Sequence, residues 1–302
     1  MKKSSQAGFH ILPLVLVLCV LGVVFFAGLK VFEKNNKDTT QSSGSTANGD
    51  VVWGFNEKEL KWFAKSGTPT QCADPYVFDR SPVDLAKIEV IGMPGAYRGF
   101  NYKPHGGMRL KDMNSGKIEI VMPADATLVN LKRYFEGSPA ELQYLLTFET
   151  DCGIAFRFDH VYTLTPEFAE IAKKTPEPKL NDTLSDPNAP FERKKFKAGE
   201  VVATEVGFPA TKNFGFDFGT YDYRMPNDIS KNKTWAAIHN QFQSLEWYGR
   251  CWIEQLPGSD IQKAKELSLK VVNPSKPNIV SDYCSYAPHK TLDFNGGQPT
   301  DG

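Results

Sequence analysis

The chain has 302 residues, and its 35 Lys and Arg balance 35 Asp and Glu. A zero balance lacks the basic excess of a nucleic-acid-binding surface, so no nucleic-acid partner is expected. Hydrophobic residues make up 41%, enough for a core in the roughly 250 residues after the N-terminal segment, as one large domain or one with extensions.

Residues 1–10 precede an apolar run, Ile11 to Leu29, that carries no charge. As a helix it spans about 28 Å, close to a bilayer's hydrocarbon core. A secretory signal has a shorter apolar stretch, about 7–15 residues, and ends at a small-residue cleavage site. Phe25-Phe26-Ala27-Gly28-Leu29 is a poor site of that kind. An uncleaved transmembrane anchor over residues 11–30 is therefore preferred to a cleaved signal. Lys2 and Lys3 stand before the run and Lys30, Lys34 and Lys37 after it, so flanking charge does not orient it.

Cys19 lies inside the run, and four cysteines follow: Cys72, Cys152, Cys251 and Cys284. An even set in an exported domain reads as two disulfides with three pairings open. Proximity along the chain favours Cys251–Cys284, which leaves Cys72–Cys152. Four reduced thiols would fit a cytosolic domain instead. The cysteines are one reason to place residues 1–10 in the cytoplasm and the large domain outside, at the cell membrane. No Cys-x-x-Cys pair exists, which argues against a zinc ribbon or a thioredoxin-like site. Gly8-Phe9 resembles the leader junction of type IV pilins, although Pro13 stands where pilins usually carry Glu. That resemblance implies a different protein, a pilin-like structural component of the surface.

Residues 31–50 contain the polar stretch Asn35–Asp50, which cannot build a core and reads as a flexible linker, with a reach of roughly 20–25 Å. Residues 51–85 read as an N-terminal extension, in which Asn56 would cap a short helix over Glu57–Lys65 with Leu60, Phe63 and Ala64 on its apolar face. Lys87–Gly92, Lys117–Met122 and Ala126–Phe135 read as strands. Ser138-Pro139-Ala140-Glu141 has the form of a helix start. Tyr144, Leu146 and Phe148 alternate, however, and Ile154, Phe156 and Phe158 alternate again beyond Thr150-Asp151-Cys152-Gly153, so a hairpin is expected. A short helix runs from Thr165-Pro166 to about Lys174, and Thr175–Pro190 is a surface loop. Gly199–Gly207 and Phe214–Tyr223 are further strands. Trp235, Ile238, Phe242 and Leu245 are spaced for one helical face, within a C-terminal extension over 226–290 that also holds the apolar piece Cys251–Leu256. Residues 291–302 form a polar tail expected to be disordered. No repeats and no phosphate-cradling glycine loop occur.

Five short motifs carry the functional signal. His105-Gly106-Gly107-Met108-Arg109 is followed by Ile120–Val129, then Phe158-Asp159-His160-Val161, Gly199–Gly207, and Gly215-Phe216-Asp217-Phe218. In this order they resemble the lysostaphin-type, LytM-like zinc endopeptidases that cleave cell walls. The resemblance covers about Ile91 to Arg224. It implies a mainly β fold, a LytM-like antiparallel β-sheet domain over 86–225 with short helices and the C-terminal extension, preceded by the transmembrane helix. The segments Tyr102–Gly107, Cys152–His160 and Phe216–Arg224 together also resemble a divergent branch of that fold.

The chemistry departs from the family. Its zinc ligands are a first His, an Asp four residues on, and the second His of a His-x-His pair. Carried over, His105 is kept, Arg109 replaces the Asp, Gly215 replaces the first His of the pair, and Asp217 replaces the second. His160, matching a catalytic His, is kept. Arg109 offers no lone pair and brings a positive charge, so His105 and Asp217 fall one short of the three protein ligands a catalytic zinc needs. No cofactor is expected, with zinc the one candidate. Arg109 is expected to pair with Asp217 in the old metal site. The resemblance thus implies a binding groove with His105, Arg109 and Asp217, and a catalytic position only at His160. The preferred function is a catalytically inactive module that binds peptidoglycan or regulates a partner hydrolase. The alternatives are an active metal-dependent endopeptidase with an unusual ligand set, a metal-independent hydrolase and the pilin-like protein. His160 and Asp217 also have plain structural readings, as do His239 and His289, which lie outside any motif, and His10 at the membrane boundary.

Overall fold

Alternating apolar and polar side chains put most of the chain into strands. The computed structural model describes residues 50–98, 101–179, 191–272, 281–287 and 290–293. The apolar run 11–29, the linker to residue 49, Gly8-Phe9, His10 and His289 lie outside these residues. The strands are β1 (Val52–Asn56), β2 (Lys61–Ser66), β3 (Ile88–Gly92), β4 (Ala96–Arg98), β5 (Asn101–Lys103), β6 (Gly106–Leu110), β7 (Lys117–Val121), β8 (Ala126–Glu136), β9 (Glu141–Glu149), β10 (Ile154–Leu164), β11 (Lys194–Phe196), β12 (Val201–Val206), β13 (Gly215–Asp222), β14 (Gly249–Arg250), β15 (Ser268–Val272) and β16 (Lys290–Asp293). The helices are α1 (Pro166–Lys173), α2 (Lys233–Ile238), α3 (Gln243–Glu246) and α4 (Asp260–Leu267). Among the described residues no helix is long and apolar enough to cross a membrane.

The main sheet runs β11-β8-β9-β10-β13-β6-β3-β15-β16, with β12 bridging β10 and β7 and β14 adding to β13. The pairs from β11 to β3 are antiparallel. β15 joins β3 and β16 in parallel, so Lys290–Asp293 forms an edge strand where the sequence reading begins a polar tail. The expected hairpin at Thr150–Gly153 joins β9 to β10. Gly137, at φ +94°, helps turn β8 into β9, so Ser138–Glu141 starts no helix. That positive φ is a backbone geometry that glycine, having no Cβ, adopts without strain.

Strand alternation gives β13 two faces. Phe216, Phe218 and Thr220 are buried on one side, where Phe148, Phe156, Phe158 and Trp252 pack with the two Phe side chains. Gly215, Asp217, Gly219 and Tyr221 line the other. Each buried aromatic removes a large apolar surface from water, and the T-shaped and tilted ring pairs add to that. The neighbouring strands follow the same alternation: Ala155, Arg157 and Asp159 of β10, and Gly107 and Arg109 of β6, share the face of Asp217.

Two helix expectations are corrected. Residues 57–65 form the turn and second strand of a β1–β2 hairpin. Asn56 does accept the Lys58 and Glu59 amides, the same bonding an N-cap makes, but here it closes a turn. Trp62 then stacks on Tyr223 at 3.6 Å. The predicted face over Trp235–Leu245 breaks into α2 and α3, with Trp235 buried and Ile238 and Phe242 exposed.

Both disulfides follow the pairing that proximity favoured, Cys72–Cys152 and Cys251–Cys284. The first ties the segment before β3 to the β9–β10 turn. The second ties the residue after β14 to the segment before β16.

Candidate functional site

Three adjacent strands, β6, β13 and β10, bring His105, Asp217 and Arg157 together. His105 immediately precedes β6, Asp217 is central in β13, and Arg157 and Asp159 are two residues apart on one face of β10. Asp217 lies opposite Gly107 on one side and Asp159 on the other. Two carboxylates facing each other across strands repel. Each here is engaged by a guanidinium instead. Arg157 Nη2 donates to Asp159 Oδ2 at 3.2 Å. Arg98, from β4, donates to Asp217 Oδ1 at 3.0 Å and Oδ2 at 3.2 Å, and to the His105 carbonyl at 3.3 Å.

Gly107 makes room for that guanidinium. A Cβ there would stand 2.3 Å from Arg98 Nη1 and 2.9 Å from Asp217 Oδ1. Gly219 does the same for His105, whose own Cβ would lie 2.7 Å from one added at 219.

The hydrogen bonds fix the state of His105. Arg157 Nη2 donates to Nδ1 at 3.0 Å, and a guanidinium has no acceptor. Nδ1 therefore carries the lone pair, and Nε2 carries the proton that it donates to Asp217 Oδ2 at 2.9 Å. Burial, with Arg157 and Arg98 beside it, holds His105 down to about 4, while Asp217 pulls the other way. Burial pushes the Asp217 carboxyl up, but Arg98 and His105 outweigh it and hold it well below the usual carboxylate range. Neutral His105 and ionised Asp217 are the consistent pair.

His160 closes the cluster on the side of β8. Its backbone lies at φ +59°, uncommon for a side chain other than Gly, Asn or Asp, where the β9–β10 pairing slips between Phe158 and Val161. The Gly207 amide donates to its carbonyl at 2.8 Å, and its own amide donates to Asp159 Oδ1 at 3.0 Å. This turn points the partly exposed ring at Asp217 Oδ2, 3.8 Å from Nε2, and at Glu136, 3.6 Å from Nδ1. Tyr134 Oη lies 3.2 Å from Nδ1 and also donates to Asp159. Burial and the Asp159 charge push the Tyr134 phenol up, so it stays a neutral donor.

His105, Asp217 and His160 thus lie together. Arg109 does not join them. It sits opposite Gly215 on the same face, its Nε is buried without a partner, and Asp217 is held by Arg98. The expected Arg109–Asp217 pair is corrected accordingly: β6 aligns Arg109 with residue 215, two positions along the strand from Asp217, and the guanidinium of β4 fills the intervening space above Gly107.

The side chains do not suit the zinc ion that the LytM resemblance implies. Both His105 nitrogens are engaged, both Asp217 oxygens receive Arg98, and the motif position of the third ligand holds the cation Arg109, beside Gly215. Among the described residues no group of three or more His, Cys, Asp or Glu side chains is arranged to hold a metal ion.

Arg98, Arg157, Asp159, Tyr134 and Glu136 were not assigned roles from the sequence. Arg157 and Asp159 had a usable signal, opposite charges two apart on a strand next to His160. His239 is buried, bonded through Nδ1 to Glu246 at 2.7 Å and stacked on Trp235 at 4.1 Å, so it is a satisfied histidine of the wall beside the site. No family model, curated protein or solved structure matches this chain.

Proposed function

We propose that the chain is a membrane-anchored, extracytoplasmic module of LytM-like fold that binds cell-wall peptidoglycan without metal chemistry. The observation that carries this reading is the Arg98 guanidinium held between Asp217 and the His105 carbonyl. A fixed protein cation takes the place that a metal's charge would have, so the groove keeps its electrostatics and loses the open coordination position that hydrolysis needs. The family resemblance is supported by the motif strands lying side by side as β6, β13 and β10. Export is supported by the two disulfides, which persist in oxidising compartments. Regulation of a partner hydrolase is compatible with the same groove.

The test is co-sedimentation of the full chain with purified peptidoglycan, with zinc or with chelator. Retention in the pellet without release of soluble fragments is expected under both conditions. Chelator-sensitive cleavage would overturn the metal-free reading, and neither retention nor cleavage would overturn wall binding altogether.

The partly exposed ring of His160 beside Asp217 and Glu136 favours a second reading, a metal-independent hydrolase with His160 as proton acceptor. Chelator-resistant cleavage lost in His160→Asn would select it.

A further inference from the structure

A cleft of about 550 Å³ opens beside the cluster, within the size range of small-molecule and peptide pockets. His105 and Arg157 line it, the β4–β5 hairpin contributes Tyr102 and Lys103, and the corner between α2 and α3 contributes Ile238 and Phe242. Arg98, Asp217 and His160 do not line it.

Its charges are unequal in what they leave open. The Glu246 carboxylate is tied to His239, and that ring is braced between Trp235 and Tyr102, each 4.1 Å away. Asp159 is taken by Arg157 and Tyr134. The cations keep spare donors. A guanidinium has five N–H groups, and the Arg157 hydrogen bonds to His105 and Asp159 both use Nη2. Lys103 makes no ion pair among the described residues.

Two apolar residues of the lining are exposed. Ile238 is 60% and Phe242 54% exposed, adjoining across one short turn. Paired exposed apolar side chains at the mouth of a polar cleft are a feature of recognition surfaces.

We propose that this cleft binds a short peptide segment in which an apolar side chain neighbours a carboxylate. The apolar side chain lies on Ile238 and Phe242, and the carboxylate lies toward Lys103 and Arg157, where charge-assisted hydrogen bonds complete the guanidinium. The cleft shares His105 and Arg157 with the cluster, but Ile238, Phe242 and Lys103 lie outside it, so peptide binding and wall retention are read by separate assays.

The test uses the full chain in nanodiscs and the fluorescence anisotropy of fluorescein-labelled Gly-Gly-Leu-Asp. Two comparison peptides carry the same label: one ends in an Asn amide, and the other has Ser in place of Leu. Saturable binding with a dissociation constant of about 10 μM to 1 mM is expected for the first, with both comparison peptides about tenfold weaker. The double variant Ile238→Ser, Phe242→Ser should weaken the first peptide about tenfold and leave the melting temperature unchanged, because both side chains are exposed. Equal binding of the three peptides, undiminished binding by the double variant, or no saturation up to about 5 mM would each overturn the proposal. Peptidoglycan retention by the double variant reports separately on the wall-binding reading.

Discussion

Arg98 grips both oxygens of Asp217, at 3.0 and 3.2 Å, across 119 positions of sequence. The contact unites the short β4–β5 hairpin with the centre of the main sheet, and it decides which chemistry the cluster can perform.

Removing one partner of such a pair leaves an uncompensated charge. Arg98→Ala should cost about 2–4 kcal/mol, somewhat less than a fully buried pair because the guanidinium is partly exposed. Arg98→Lys should recover little, since an ammonium cannot span both oxygens. Urea denaturation measures both, and a loss below about 0.5 kcal/mol for Arg98→Ala would show the pair to be dispensable.

Gly107→Ala tests the same contact without touching a charge. Its methyl group would enter the space of Arg98 Nη1, and backbone on this central strand cannot retreat freely. A loss of about 1–3 kcal/mol is expected. Combined with Arg98→Ala, the two losses should be clearly less than additive, because the guanidinium that the methyl displaces is gone.

The pH dependence separates two buried groups with opposite signs. His105 is held down to about 4 in the fold, against about 6.5 when unfolded. Its contribution is present above pH 6.5 and lost as pH falls through about 4, because the unfolded chain binds the extra proton. Burial, partly offset by Arg193, pushes Glu149 up to about 7. Its contribution to the fold is present below its unfolded value and lost as pH rises through about 7. In the wild type the two partly cancel between pH 4.5 and 6.5. His105→Gln should therefore remove the acid-side loss and leave stability falling with pH, whereas Glu149→Gln should do the reverse. Denaturation curves at pH 4.5, 5.5 and 7 distinguish them.

His160→Asn should leave stability within about 0.5 kcal/mol, because Asn accepts the left-handed backbone at φ +59° better than most residues do. Any catalytic or ligand-binding role of the imidazole should disappear. His160→Val, with a branched Cβ at that backbone angle, should cost about 1–3 kcal/mol. Comparing the two variants by thermal melting isolates the backbone requirement from the ring.

Reduction should weaken the fold by two unequal steps. The Cys72–Cys152 link closes 80 residues and Cys251–Cys284 closes 33. The chain-entropy estimate gives about 4.5 and about 3.7 kcal/mol respectively. Paired Cys→Ser variants, compared by urea midpoint, should rank in that order.

Much of the sheet was legible from period-two patterns, because β9, β10 and β13 bury one face and leave the other polar. The helix expected at 57–65 failed for a local reason. An Asn that accepts amides two and three residues ahead looks alike at a helix start and in a tight turn, and only Trp62 packing on Tyr223 decides between them. The Trp235–Leu245 face failed because the 3.6-residue spacing persists across a break at His239–Phe242. In the site, His105, His160 and Asp217 were legible through their motifs. Arg98 was not: β4 has three residues, too few to show a period, and its partner lies on a strand distant in sequence. The mismatch at Arg109 followed from the same gap, since an arginine was expected beside Asp217 and another arginine supplies it.

Strand β13 is hydrogen-bonded along both edges, by β10 and β6. Its amides around Asp217 can reach solvent deuterium only when one of those ladders parts. Exchange protection of these amides is therefore expected to be among the highest in the fold. A ligand of the cluster is then met by side-chain adjustment at Glu136 and His160, above a strand paired on both edges.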